Sequence, residues 1–277
     1  MRTYFKSLIV LLLFVQCNQI VLPEGAIELP KKIRETSGLA TQNNQFLTFN
    51  DSGGKAALYA INLDGTGLEK HKIKGAINRD WEDIAQDSSH FYIADMGNNF
   101  GNRKNLTIYI TDKKFNLQDS IQFRYATQKN FNPRKKHPFD AETIMVYGDS
   151  LLLFSKDRDE HKTALYVLPK TGGEYVLTSR TSFDVNALIT GGDYDHNSKK
   201  LVLTGYLPDY TQYIFKAENF SLDRLDETNI ERYQLPYENA QVEAAKILDD
   251  GSVWVSSEGE DINVPFIHKI DFNQFQQ

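Results

Sequence analysis

A single cysteine stands in the 277 residues. That count excludes a disulfide framework and any cysteine-rich zinc module. An excess of basic residues is also missing. There are 31 Lys and Arg against 37 Asp and Glu, a formal charge of −6, and no long basic run. This balance argues against nucleic acid as a partner. No apolar run approaches the roughly 20 residues needed to span a bilayer as a helix. Amphipathic helical periodicity is scarce, and FSLDRLDETNIERY over 220–233 is the nearest approach to it. With 40% hydrophobic and 12% aromatic residues, the chain is not of disordered composition.

What is present begins with a short apolar core from Ser7 to Val15, preceded by Arg2 and Lys6 and followed by Cys17. This order predicts a signal peptide over residues 1–16. It resembles a bacterial lipoprotein signal, in which the cysteine becomes the acylated N-terminus. The resemblance implies lipidation at Cys17, a tether over 17–25 and an exported protein in the bacterial cell envelope, such as the periplasm. It would meet the membrane only through its lipid. The alternative is a plain secretory signal and a secreted protein.

From residue 26 onward, short runs such as QFLTFND, ALYAINL, HFYIADM, SLLLFSK and KLVLTGY alternate with turns rich in Gly, Asn and Asp. Each has the length and β-propensity of a strand. Five segments share a plan of acid, turn, strongly apolar strand, third strand and more polar fourth strand. They open at Glu35, Glu82, Glu142, Asp193 and Glu243. A period of about 50 residues with four strands per unit is the pattern of propeller blades. The longer interval before Glu142 contains the polar insertion TQKNFNPRKKHP. The fifth unit stops after three strands, and AIELPKKI, Ala26 to Ile33, supplies the missing one by pairing with FIHKIDF. The sequence therefore predicts an all-β chain, a five-bladed β-propeller over 26–277 closed by its N-terminal strand. A six-bladed ring and a β-sandwich are the alternatives.

In a propeller the first strand of each blade lines the channel. The start of that strand and the end of the second lie at one face, because the two are antiparallel. The five acids are thus expected to converge at one mouth. Beside them come Asn50 and Asp51, Asp95 with Asn98 and Asn99, Ser155 to Asp157, Tyr206, and Ser257 with Glu258. Two like charges 4 Å apart repel by about 4 kcal/mol at an effective dielectric near 20. Such a ring must raise its pKa values, pair with Lys or Arg, or hold a cation. The oxygen-only set Glu35, Glu82, Glu142, Asp193 and Glu243 suits Ca²⁺ before Mg²⁺, and no His or Cys spacing supports zinc. Of the six histidines, only His137 is expected near the mouth. A plainer role for each acid is to accept backbone N–H groups of the next blade.

The acid-then-small-residue pattern in ETSGLA, DWEDIA and DAETIM resembles that of calcium-dependent propellers. This broad group includes the gluconolactonase- and paraoxonase-like lactonases, esterase-like phytases, apyrase-type nucleotidases and SdiA-regulated proteins. The resemblance implies calcium binding by the five acids named. Two functions follow as expectations. One is a binding or scaffold module for a small molecule, glycan or protein, contacted through Asp51, Asp95, Asn98, Asn99, Arg103, Lys156, Arg158 and Glu258. The other is a calcium-dependent hydrolase of a phosphate ester, phosphodiester or lactone, with Asp83 or Asp140 as general base. Alternatively, Lys156 and Arg158 are ion-pair partners of the acids.

Overall fold

The computed structural model describes residues 22–237, 240–259 and 264–275. The leader over 1–16 and the cysteine at position 17 lie outside them. A short strand, β1 (Ile27–Glu28), comes first. Blade one is β2 (Thr36–Gln42), β3 (Gln45–Asn50), β4 (Ala57–Asn62) and β5 (Glu69–Lys72). Blade two is β6 (Trp81–Gln86), β7 (His90–Asp95), β8 (Leu106–Asp112) and β9 (Leu117–Tyr125). Blade three contains β10 (Asp140–Tyr147), β11 (Ser150–Lys156) and β12 (Thr163–Pro169). The chain then detours through β13 (Gly173–Leu177), which adds to blade two parallel to β9. It returns as β14 (Thr181–Phe183), the outer strand of blade three. Blade four is β15 (Leu188–Asp195), β16 (Lys200–Tyr206), β17 (Gln212–Ala217) and β18 (Glu231–Gln234). Blade five is β19 (Gln241–Ile247), β20 (Val253–Glu258) and β21 (Phe266–Ile270), completed by β1.

The chain is a five-bladed β-propeller. Ring closure follows the expected route, but over less of Ala26 to Ile33 than expected: Ile27 pairs with Ile267 and Glu28 with Phe266, antiparallel, while Lys31–Ile33 turn as a 3₁₀ segment after Pro30. The stretch at 220–233, nearest in the sequence to helical periodicity, holds a short 3₁₀ segment, Leu222–Glu227, and the start of β18. Its apolar side chains Leu222, Leu225 and Ile230 pack on the core between blades three and four.

Burial explains the strand composition. An inner strand is covered by neighbours on both sides, so its residues are buried almost continuously, as in Trp81–Gln86. An outer strand shows one side to water and alternates. In β9, Ile121, Phe123 and Tyr125 are buried while Gln122 and Arg124 are exposed. Five hydrophobic clusters fill the five clefts between blades. Trp81 is one of the packing residues. Fully buried, it meets Phe49 of blade one edge-on at 5.5 Å, and its indole N–H donates to the Ile77 carbonyl at 2.9 Å. Gly191 marks the closest approach of two inner strands, since a Cβ there would overlap the Glu243 carbonyl of blade five.

The closing segment also brings apolar anchors. Leu29 and Ile33 are buried with Leu39, Phe46 and Ile267 in the cleft between blades five and one. Replacing Ile33 by Ala should therefore cost roughly 2–5 kcal/mol in a urea titration. Replacing the exposed Ile77 by Ala should stay within about 0.5 kcal/mol. Equal effects would show that closure by the N-terminal segment does not hold the ring.

Candidate functional site

At the mouth, each inner strand carries an irregularity. The pairing register shifts around Glu82 in β6, Glu142 in β10, Glu243 in β19, Thr190 in β15 and Gly38–Leu39 in β2. A bulge turns one extra side chain out of the ladder. Here the extra residue in three blades is a glutamate facing the channel. These three, with Ser37, Asp51, Asn99, Lys156, Arg158, Tyr206, Gln241 and Glu258, line a polar cavity of about 210 Å³. Every blade contributes to it.

Two of the five expected acids stand apart. Glu35 precedes β2, is about one-third exposed and lies 3.4 Å from the Arg34 guanidinium. Asp193 sits three residues beyond the bulge of its strand. It accepts the Lys246 ammonium at 2.7 Å and the Ile247 N–H at 2.9 Å, latching blade four to blade five. The bulge position in blade four belongs to Thr190, whose hydroxyl donates to the Val242 carbonyl at 2.6 Å. Spacing between acids located this strand but not its register.

The cations stand on the blade-three wall. Lys156 is buried and its ammonium lies 3.0 Å from Glu142. Arg158 reaches Glu142 at 3.5 Å and Asp140 at 2.5 Å, and it also bonds the Asn99 side chain. Burial opposes the Lys156 charge, but Glu142, Tyr206 and Glu243 outweigh it and leave its pKa well above the ordinary range. Lys156 and Arg158 are thus ion-pair partners of the mouth acids.

The other glutamates are placed differently. Glu243 accepts the Gln241 amide at 2.7 Å. Burial, partly offset by Lys156, raises its pKa to about 7. Glu82 is 6% exposed and faces the cavity. Its carboxylate has no hydrogen-bond or ion-pair partner among the described residues. Burial first, then Glu142 and Asp80, push its pKa well above the carboxylate range. Asp80 is its neighbour: oxygens of both lie within 2.5 Å of the point where a Cβ on Gly97 would stand. Glycine at 97 is what lets the two approach. Burial, then Glu142, raise Asp80 to about 7 as well.

The GNNFGNR loop is a rigid frame. Asn98 donates to the Phe139 carbonyl at 2.8 Å, and its N–H donates to Asp140 at 2.6 Å. Arg103 donates to Asp95 at 2.8 Å and to the Gly97 carbonyl at 2.7 Å. The polar insertion braces the loop through Gln128 to the Gly101 carbonyl and the Arg134 N–H to the Phe100 carbonyl. His137 is buried beneath it, accepting the Phe139 N–H at Nδ1, 3.1 Å, and facing the Asn99 carbonyl at Nε2, 3.3 Å. Burial lowers its pKa, so the ring is neutral with the proton on Nε2.

Of the expected ligand contacts, Asp51, Asn99, Lys156, Arg158 and Glu258 line the cavity, while Asp95, Asn98 and Arg103 build its rim. The two expected bases are structural. Asp83 accepts the Ile84 and Ile144 N–H groups at 2.7 and 2.9 Å, latching blade two to blade three. Asp140 is fully buried among Asn98, Ala141 and Arg158. Asp80, Ser37 and Gln241 were not anticipated. The run RDWEDIA did hold a signal for Asp80, an acid two residues before the bulge.

The donor set does not fit a calcium ion. Calcium takes six to eight oxygen ligands, whereas an ammonium and a guanidinium already stand against Glu142. Among the described residues no three His, Cys, Asp or Glu side chains are arranged to hold a metal.

No protein-family model matches the chain, and no curated protein matches it. Among solved structures it is similar to an exo-β-1,3-galactanase from Phanerochaete chrysosporium. The identity is 13% and the TM-score 0.58, over 91% of this chain and 65% of that one, so the chain spans about two thirds of the galactanase. It is also similar to an endo-arabinase from Bacteroides thetaiotaomicron, at 13% identity and TM-score 0.53, over 93% of this chain and 99% of that one. A glucose dehydrogenase shares 10% identity at TM-score 0.52, over 89% and 99% of the two chains. At these identities the likeness is one of fold, and it places the chain among the β-propeller proteins.

Proposed function

We propose that the mouth cavity binds a small polar ligand and that Glu82 is the group which recognises it. The observation that carries this reading is the Glu82 carboxyl, nine-tenths buried, aimed into the cavity and without a partner among the described residues. Lining the cavity with no donor of its own among the described residues, that carboxyl is open to a ligand hydroxyl or amine. The volume of about 210 Å³ is below the roughly 300–1,000 Å³ of drug-sized pockets. The ligand is therefore small, or is one end of something longer. Lys156 serves as the internal cation of the hub, in place of a bound metal.

A second reading is turnover. Glu142 is held against two cations while Glu243 keeps a proton to about pH 7. A carboxylate and a carboxylic acid in one cavity are the pair that hydrolysis of an ester or acetal linkage requires.

A Tm-shift screen with sugars, polyols, amines and amino acids tests the first reading. A ligand present at a hundredfold excess over Kd should stabilise by about 2.7 kcal/mol, and Glu82→Gln should abolish the shift. Hits indifferent to that substitution, or no hits, refute it. Chromogenic glycosides, lactones, phosphate esters and phosphodiesters test the second. EDTA-resistant turnover lost in Glu82→Gln or Glu243→Gln supports a hydrolase, and silence on every substrate leaves a binding module.

Export and anchoring at Cys17 complete the proposal. Strand β1 runs antiparallel to β21, whose first residue, Phe266, lies at the mouth end. The chain thus reaches β1 from the opposite end, where Leu22 and Ala26 pack in one cluster with Phe272 and Phe275. Cys17→Ser should move the protein from the membrane fraction to the soluble one, and retention on the membrane would refute the anchor.

The mouth carboxyls also set a pH dependence. Asp80 and Glu243 have unperturbed values of 3.8 and 4.5 and folded values of about 7. Between those limits the folded state binds more protons than the unfolded one. Stability is therefore greatest at the acidic end of the window and falls as pH rises through it. Urea titrations from about pH 5 to about pH 8 should show this decline, flattened in Asp80→Asn and Glu243→Gln. A rise in stability over that range would contradict the assignment.

A further inference from the structure

The cavity wall does not end at its polar lining. Tyr206 lines the blade-four side, and Tyr210 stacks on it with ring centroids 5.9 Å apart and planes 8° from parallel. Tyr210 sits in the turn between β16 and β17, at the mouth face, and is 56% exposed. Its backbone is in the left-handed region, φ 65°, where glycine or asparagine is the usual occupant. The turn is held by the Tyr210 N–H to the Leu207 carbonyl, 2.8 Å, and the Thr211 N–H to Asp209, 3.0 Å. A large aromatic ring is thus kept on the rim at a position that favours a small residue, with much of its surface in water. Across the mouth, Phe100 is also half exposed, next to the cavity residue Asn99.

We propose that the ligand is a saccharide, with one ring in the cavity and the next lying on a platform made by the exposed Tyr210 ring, which Tyr206 backs. This rests on the reading of the cavity given above and names its ligand class. A sugar ring is amphipathic in the way this face is. Its C–H face suits an aromatic plane, while its hydroxyls donate to Glu82 and accept from Asn99, Gln241 and Arg158. The cavity has room for one ring, and the platform outside it requires a second, so the ligand is an oligosaccharide or a chain end. A quaternary amine would also suit acids and tyrosines. Here, however, the Lys156 ammonium already lies 5.1 Å from the Tyr206 centroid, and Arg158 shares the wall. A phosphate would face Glu82, Glu243 and Glu258.

The test is a glycan array of neutral and acidic saccharides on the full chain. Calorimetric titration of the best oligosaccharide follows, with choline chloride and inorganic phosphate as comparison probes. Binding of an oligosaccharide is expected, weakened roughly tenfold, or about 1.4 kcal/mol, in Tyr210→Gly and largely kept in Tyr210→Trp. Because glycine suits the turn, Tyr210→Gly should not lower the Tm, which separates lost contact from lost folding. Saccharide binding unchanged in Tyr210→Gly overturns the platform. No saccharide binding, or choline binding in its place, overturns the ligand class. A non-sugar ligand lost in Glu82→Gln would still uphold the cavity reading, whereas saccharide binding that survives Glu82→Gln would refute it.

Discussion

Charge inside a closed ring is the constraint on which the rest depends. Five inner strands packed side by side leave a narrow channel, and a carboxylate placed there loses most of its water. It then has three outcomes: an internal cation, a proton or a ligand. The mouth shows the first two directly. Glu142 takes Lys156 and Arg158, while Glu243 and Asp80 hold protons to about pH 7. Glu82 has no donor among the described residues, and its carboxyl faces the cavity.

The same chemistry serves the ring itself. Asp83 and Asp193 spend their carboxylates on backbone N–H groups of the next blade. Such latches fix the angle between blades while the apolar clefts supply most of the cohesion. Arg103 and Asn98 do similar work in a loop, converting GNNFGNR into a fixed rim. Rigidity of that rim gives the mouth a defined shape, as binding without a large ordering cost requires.

Much of the fold was legible in the residues. Strand length, the period near 50 and the spare strand at Ala26 to Ile33 led to five blades and their closure. The site was legible in part. Glu82, Glu142 and Glu243 are where the pattern put them, as are Asp51, Lys156 and Glu258. Asp193 misled because an acid deep in a strand and an acid at a bulge look alike in one dimension. Asp83 and Asp140 look like free bases for the same reason, since their partners come from other blades and loops.

The sequence by itself determined the repeat, the strand order and the surplus of acid at the starts of inner strands, because these depend on local propensity and period. Tertiary structure decided which acids meet. A bulge shifts the register by one residue and swings one of the strand's own side chains into the channel; the β10–β11 pairing brings Lys156 against Glu142, and the packed ring sets Glu82 in the cavity with no donor among the described residues. Protonation state followed last, since burial and neighbouring charge exist only once the blades have closed.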